Sequence, residues 1–191
     1  PPQRRRDTEG GEATAQPAPA GGEVVALVGG RIVPVDGAPI ERGTRVISGG
    51  RIDALGADVA APPGARVIDA SGHAVIPGLV QAHVHLCQAL FRGMADDLPL
   101  LEWLKTRIWP LEAAHDERSA GASARLGLAE MLRAGTTTIL DMGTVHAHDA
   151  VMAAIAESGM RALSGKAMMD VGDGVPRGLR ETTRASLAES E

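Results

Sequence analysis

The chain has 191 residues, a formal net charge of −5 and 44% hydrophobic residues, which predicts an ordinary globular protein of one domain or slightly more. The mild acidity argues against nucleic-acid binding, which needs a basic face, and no apolar run reaches the roughly 18 residues of a membrane span. The single cysteine, Cys87, excludes an internal disulfide framework, and no apolar signal region follows Arg4, Arg5 and Arg6, so a cytoplasmic protein is expected.

Residues 1–22 are rich in Pro, Gly, Ala and charge, which predicts a disordered leader or an expression remnant. Residues 23–74 are predicted to form the N-terminal part of a small β-domain. Their β-branched runs EVVALVGGRIVPVDG, TRVISGGRIDALG and ARVIDASGHAVI are punctuated by Gly and Asp, which is typical of hairpin strands. Gly29-Gly30 and Gly49-Gly50 are predicted to form the tight turns that need a positive φ.

From residue 75 onward, strand and helix patterns alternate. LVQAHVHL predicts a buried strand, and Asp116 is a predicted N-cap of a helix that runs to about Arg133, with Gly135 beyond its end. The remaining predicted elements are a strand at 136–142, a helix from about Asp149 to Ser158, a strand in MRALSGKAMMD and a helix from near Gly178. This alternation indicates βα units and a parallel sheet.

About three such units fit between residue 75 and the end, whereas a closed (β/α)₈ barrel needs eight units and roughly 250 residues. We therefore predict an α/β chain in which part of a small β-sandwich domain precedes the first part of a TIM-type barrel at residues 75–191. The sequence is expected to be the N-terminal fragment of a longer protein.

The sharpest chemical feature is His83-Val84-His85, at the end of the first long strand. Residues two apart in a strand point to the same face, so both imidazoles can reach one ion at the mouth of a barrel. Imidazole suits Zn²⁺ and Fe²⁺. Taken alone, the pair has a structural interpretation as well, since two histidines at this spacing are common by chance.

The run HAVIPGLVQAHVHL, in which a small β-domain leads through Pro-Gly into the HxH strand, resembles the amidohydrolase superfamily. FRGMADDLPLLEWLKTRIWPLEA, AEMLRAGTTTILDMGTVHAHDA and GKAMMD narrow the resemblance to the branch of 5′-deoxyadenosine, methylthioadenosine and S-adenosylhomocysteine deaminases. Guanine deaminases and chlorotriazine hydrolases are neighbours in that branch. The resemblance implies a metal-dependent hydrolase that deaminates an adenosine analogue, releasing ammonia and the inosine analogue.

The resemblance also implies roles for individual residues. His83 and His85 would be the first two ligands of one divalent metal, most simply zinc, with iron as the alternative. Trp103 would pack on the purine ring and Glu112 would accept hydrogen bonds from the ribose hydroxyls. Lys166 stands where relatives that take S-adenosylhomocysteine have an arginine for its carboxylate, which favours a shorter 5′-group.

By the same resemblance, the remaining ligands, a His and an Asp, and the proton carriers, a Glu and a His, come from later strands. No catalytic residue is therefore assigned in this chain, which is expected to be inactive alone. The implied partner is a small-molecule nucleoside, with no nucleic acid and no membrane, and a homo-oligomer stays open. The alternatives are a guanine deaminase, a chlorotriazine-type hydrolase, or a truncated non-catalytic protein.

Several polar residues have a simpler interpretation. His146 and His148 form a second HxH just after the strand at 136–142, where they could line the pocket. The simpler interpretation is a polar loop in which His148 or Asp149 caps the next helix. Asp141 is either an acceptor behind the site or a satisfied core carboxylate. Cys87 is expected to be a small buried apolar residue, and His73 and His115 are expected to be structural or solvated.

Overall fold

The computed structural model describes residues 22–190, so the predicted leader lies almost entirely outside the described residues. The chain divides into two compact units, one up to Pro77 and one from Gly78 onward. The strands of the first unit are β1 (Val25–Ile32), β2 (Ile40–Ser48), β3 (Arg51–Gly56), β4 (Arg66–Asp69) and β5 (Ala74–Val75). They form one sheet in the order β3-β2-β1-β4, and β5 also pairs with β1.

Only part of this sheet is built from hairpins. β1 pairs with β2 and β2 with β3 in antiparallel fashion, as the sequence predicts. In contrast, β4 and β5 both run parallel to β1, so the prediction of a hairpin strand was wrong for the third run. The connection before β4 contains Pro62 and Pro63, which lack the amide donors of a sheet ladder. Through this connection the chain leaves β3 and returns on the side of β1 opposite to β2.

The two glycine pairs behave differently. Gly49 and Gly50 have φ angles of 53° and 75° and form the predicted tight turn between β2 and β3. Gly29, with φ of 78°, and Gly30 lie inside β1 instead, where the register with β2 shifts between Val28 and Gly30. The predicted turn at this pair was wrong, because β2 stays paired with β1 on both sides of it and the glycines form a bulge.

The second unit is built on three parallel strands, β6 (Leu79–Val84), β7 (Thr136–Asp141) and β8 (Arg161–Ser164), in the order β6-β7-β8. Between β6 and β7 lie a 3₁₀ helix (Leu86–Phe91), α1 (Leu100–Trp103), a π-helical segment (Leu104–Ile108), α2 (Trp109–Ala113) and α3 (Glu117–Arg133). The later helices are α4 (His148–Ser158), a 3₁₀ turn (Arg177–Leu179) and α5 (Thr183–Ser190). This confirms the predicted fold class of βα units on a parallel sheet.

Local signals account for the longest helix. The Asp116 side chain accepts a hydrogen bond from the Ser119 amide at 2.7 Å, and the Asp116 amide donates to Ser119 Oγ at 3.0 Å, which completes a capping box. Helix α3 then packs with α4 against the sheet. The core at this contact consists mainly of aliphatic side chains and alanines: Leu86, Ala120, Ala124, Leu128, Ile139, Val151, Ala154, Ile155 and Met160.

Three further predictions were wrong in detail. Helix α4 is preceded by Ala147 in a left-handed conformation, with φ of 57°, so neither His148 nor Asp149 caps it. Strand β6 is exposed, with Val80 at 67% exposure, because it lies at the edge of the sheet in the described part of the chain. Strand β8 ends at Ser164, shorter than its sequence pattern suggests.

Within residues 22–190, no helix is long and apolar enough to cross a membrane.

Candidate functional site

His83 and His85 meet at the carboxyl end of β6. Their ring centroids lie 5.1 Å apart at an angle of 68°, so the two imidazoles stand edge to face on one side of the strand end. His83 is exposed and His85 is half-buried. Burial lowers the pKa of His85, against the opposing effect of the nearby Glu112 charge. A lowered pKa favours the neutral imidazole, the form in which histidine binds a metal.

A cavity of about 640 Å³ opens beside this pair. Its lining includes His83, His85, Gln88 and Trp103. Trp103 is the last residue of α1, and the 3₁₀ helix and the loop after it carry the chain from the strand end to this position. The structure thus brings an aromatic side chain and two imidazoles to one cavity, an arrangement suited to a flat heteroaromatic ligand near a metal.

Glu112 is not among the residues that line this cavity, but it contacts Gln88, which lines it. Gln88 Nε2 donates a hydrogen bond to Glu112 Oε1 at 2.8 Å, and Cys87 Sγ lies 3.6 Å from the same oxygen. Burial raises the pKa of the Cys87 thiol, so the sulfur keeps its proton. Sequence reasoning missed Gln88, and no local signal marks it, because its partner arrives only when α2 folds back onto the 3₁₀ helix.

Two polar side chains fix the backbone of Leu86 and Cys87, the segment that contacts Glu112. Ser123 Oγ lies 2.9 Å from the carbonyl oxygens of both Leu86 and Cys87 and shares its one hydrogen between them. His115 Nε2 donates to the Cys87 carbonyl at 2.7 Å, and its ring stacks on Phe91 with centroids 4.9 Å apart. The contacts of His115 agree with its predicted structural role. They place it behind the cavity, among the groups that support the site.

Asp141 is a satisfied core carboxylate at the end of β7, only 2% exposed. Its Oδ1 accepts from the Leu86 amide at 2.9 Å. Its Oδ2 accepts from the Gly143 amide at 3.1 Å and from Ser164 Oγ at 2.7 Å. One buried side chain therefore links the segment after His85 to the ends of β7 and β8.

We expect Asp141→Asn to lower the free energy of unfolding of the second unit by about 2 kcal/mol, because both carboxylate oxygens accept hydrogen bonds and an amide nitrogen at either position leaves at least one buried donor without an acceptor. Urea denaturation of the full-length protein, meaning the product of the complete reading frame that contains this chain, measures the change. Asp53→Asn, at an exposed position in β3, is the matched control. Equal stability of the two variants would contradict the linking role.

Lys166 lies in a different cavity, of about 350 Å³, whose lining includes His146, His148 and Glu189. Its ammonium group forms an ion pair with Glu181. His148 Nδ1 is buried and has no hydrogen-bond partner among the described residues, and burial lowers the pKa of His148. The structure therefore groups His83, His85 and Trp103, places Glu112 beside them, and puts Lys166 in a second cluster.

The sequence is similar to two deaminases. A 5-methylthioadenosine/S-adenosylhomocysteine deaminase of Symbiobacterium thermophilum is 41% identical over 154 residues, which cover 78% of this chain and 35% of that protein. A 5′-deoxyadenosine deaminase of Methanothermobacter thermautotrophicus is 40% identical over 168 residues, which cover 88% of this chain and 37% of that protein. The chain spans about a third of the length of these curated relatives.

Solved structures give the same picture of the fold. An adenosine deaminase of Xanthomonas campestris with bound zinc has a TM-score of 0.75 and 34% identity, covering 86% of this chain and 38% of that one. The guanine deaminase of E. coli has a TM-score of 0.75 and 29% identity, covering 87% of this chain and 41% of that one. The model of the amidohydrolase family matches residues 74–191, which include the HxH strand end and every βα unit described above. The chain belongs to the amidohydrolase family.

Proposed function

We propose that this chain supplies the first metal ligands and the nucleoside-binding part of a hydrolytic deaminase of adenosine analogues. The observation that carries the proposal is the convergence of His83, His85 and Trp103 on one cavity at the carboxyl end of β6. The similarity to two deaminases of adenosine analogues, at 40–41% identity, supports it. In barrel enzymes the active site lies at this end of the strands.

The donor set fits a divalent metal such as zinc. Two imidazoles on one side of a strand end, half-buried or exposed and opening onto a cavity, are borderline-soft nitrogen ligands that can approach one ion. A catalytic zinc commonly has about three protein ligands, so these two are a partial set. When bound, such a metal supplies a water activated as a nucleophile near neutral pH.

The reaction adds water at carbon 6 of the adenine ring and expels the exocyclic amino group as ammonia, leaving a carbonyl at carbon 6. In this proposal the Trp103 indole stacks on the purine and keeps carbon 6 facing the metal ligands. The Glu112 carboxylate accepts hydrogen bonds from the vicinal ribose hydroxyls. The groups that move protons are not assigned to any of residues 22–190.

A guanine deaminase is the second candidate, favoured by the structural similarity to the E. coli enzyme at 29% identity. Both substrates are purines that lose an exocyclic amino group, so Trp103 can serve either. The two functions differ at Glu112, since free guanine has no ribose hydroxyls for this carboxylate to bind. The contact of Glu112 with Gln88, which lines the cavity, therefore supports a nucleoside.

The test is made on the full-length protein, purified and analysed for bound metal. Ammonia release and the ultraviolet change at the purine ring are followed with 5′-deoxyadenosine, methylthioadenosine, S-adenosylhomocysteine and guanine, and chloride release is followed with a chlorotriazine. We expect turnover of at least one of the adenosine analogues and its loss after chelation of the metal. Turnover of guanine or of the triazine alone would overturn the proposal.

A further inference from the structure

The segment after β8 contains a buried ion pair that the proposed chemistry does not use. Lys166 Nζ and the Glu181 carboxylate are directly paired, and each side chain is only 3% exposed. Lys166 Nζ also donates to the Ala167 carbonyl at 3.1 Å and lies 3.6 Å from Glu189 Oε2. Removing one partner of such a pair leaves a buried charge without compensation. Each of the two residues therefore needs the other to compensate its buried charge.

Glu181 connects this pair to the surrounding backbone. Its Oε2 accepts from the Met169 amide and from Ser186 Oγ, each at 3.1 Å, and the Glu181 amide donates to the Met169 carbonyl at 3.3 Å. Burial alone would raise its pKa, but the bonds from Lys166, Met169 and Ser186 hold the pKa of Glu181 below its usual range. An ionised Glu181 thus joins the two ends of segment 166–181 through its ion pair with Lys166.

The closed segment lies directly on α2. Val175 and Leu179 are buried, and Trp109 and Ala113 of α2 pack against the same cluster. A Cβ at Gly178 would lie 3.1 Å from the Ala113 carbonyl oxygen, so the two backbones are in close contact there. Ala113 is the residue next to Glu112. Any outward movement of the segment therefore removes the packing on one side of the helix that carries Glu112.

The charged residues around Lys166 do not make a good cation site. His146, Glu181 and Glu189 each offer a ligand atom within 4.8 Å of the others. However, the Lys166 ammonium already contacts both carboxylates, so a metal ion would have to displace a buried, hydrogen-bonded cation. These charges are better explained as an ion pair that joins the two ends of segment 166–181.

We propose that the Lys166–Glu181 ion pair is a clamp that holds segment 166–181 against α2 and thereby positions the Glu112 carboxylate. The inference rests on the proposed function, in which Glu112 binds the ribose hydroxyls. Lys166 is then a positioning residue that acts through Glu112, with its ammonium group committed to Glu181 and Glu189. This assignment replaces the substrate contact that the sequence resemblance suggests for Lys166.

The test compares a ribonucleoside with its dideoxy counterpart in the full-length protein. In Glu181→Gln we expect KM for 5′-deoxyadenosine to rise about tenfold, since a small displacement of a binding group has effects of this order or larger. We expect little change in kcat, and little change in KM for 2′,3′,5′-trideoxyadenosine, which lacks the hydroxyls. Lys166→Met should behave in the same way, and Lys166→Arg, which keeps the positive charge, should recover most of the loss.

Glu157→Gln is the control, because it breaks an exposed ion pair with Arg125 on the outer helices. It should leave both substrates unaffected. A Glu181→Gln variant that weakens both substrates equally would overturn the clamp, since general misfolding acts on both. So would a Lys166→Met variant that affects only substrates with an anionic 5′-group, which would make Lys166 a substrate contact.

Hydrogen exchange gives a readout that does not need turnover. If Lys166 and Glu181 form a clamp, Glu181→Gln should speed the exchange of backbone amides in residues 109–115 and 167–181 and leave α4 unchanged. Unchanged exchange in these two segments would overturn it. If the wild-type protein deaminates no adenosine analogue, the proposed function fails, and hydrogen exchange alone then decides whether the clamp exists.

Discussion

Replacing either His83 or His85 by alanine is expected to lower the kcat/KM of the full-length protein by more than about 100-fold. Loss of a group that merely orients a metal ligand typically costs about 10- to 100-fold in affinity or activity, and loss of the ligand itself costs more. Each variant should also retain less metal after purification, because one of two neighbouring imidazoles no longer donates. Steady-state kinetics and metal analysis of the same preparations measure both effects.

His73→Ala is the matched control, because His73 is exposed in the first unit and its Nδ1 contacts only the Ser71 carbonyl among the described residues. It should keep full metal content and activity. His83→Ala should show thermal unfolding closely similar to that of His73→Ala once metal has been removed, since both side chains are exposed. Normal metal content in both His83→Ala and His85→Ala would show that the pair is structural.

Several features that depend on neighbours in sequence were predicted correctly. The N-cap at Asp116 needs only an acceptor side chain three residues before the amide it caps, and the turn at Gly49 and Gly50 needs only two residues that tolerate positive φ. The alternation of strands and helices after residue 75 follows from the same local patterns. These signals were sufficient for the fold class and for the position of the HxH pair at the end of β6.

Features that depend on a distant partner were not predictable. Gly29 and Gly30 have the composition of a turn, but the bulge they form is fixed by the pairing of β1 with β2. Likewise, composition does not reveal that β4 pairs with β1 on the side opposite to β2, or that it runs parallel to β1. Exposure of β6 follows from its edge position among the described strands, which its apolar sequence cannot show.

The same distinction between local signals and distant partners applies to the residues of the candidate site. His83 and His85 stand out because a strand places residues two apart on one face. Gln88 has no comparable signal, because its hydrogen bond to Glu112 spans 24 positions and exists only after α2 folds back. The ion pair of Lys166 with Glu181 has no local signal either, because the two residues are 15 positions apart. The roles of Trp103, Glu112 and Lys166 in binding remain predictions.

Glu112→Gln is expected to lower kcat/KM for 5′-deoxyadenosine by about tenfold or more, because hydrogen bonds to a charged acceptor contribute about 1.5–3 kcal/mol. The amide keeps the size of the carboxylate but offers one acceptor oxygen in place of two and carries no charge. For 2′,3′,5′-trideoxyadenosine the same substitution should change kcat/KM little. The ratio of the two effects, measured by steady-state kinetics, isolates the ribose contribution.

Gln88→Leu extends the experiment to the neighbour that holds this carboxylate. It removes the 2.8 Å hydrogen bond to Glu112 Oε1 and leaves the charge in place. We therefore expect a loss of only about threefold, again confined to the ribonucleoside. Glu102→Gln, at an exposed position in α1, should change neither substrate and controls for the loss of a negative charge in the same loop.

The pattern across the substrates distinguishes binding from packing. If Glu112 accepts hydrogen bonds from the hydroxyls, the glutamine variant and the dideoxy substrate remove the same interaction, so combining them should cost little more than either alone. If Glu112 only fills space beside Gln88 and Cys87, the two changes are independent and their effects should add. Additive losses would therefore reject the ribose role and remove the main argument for a nucleoside over free guanine.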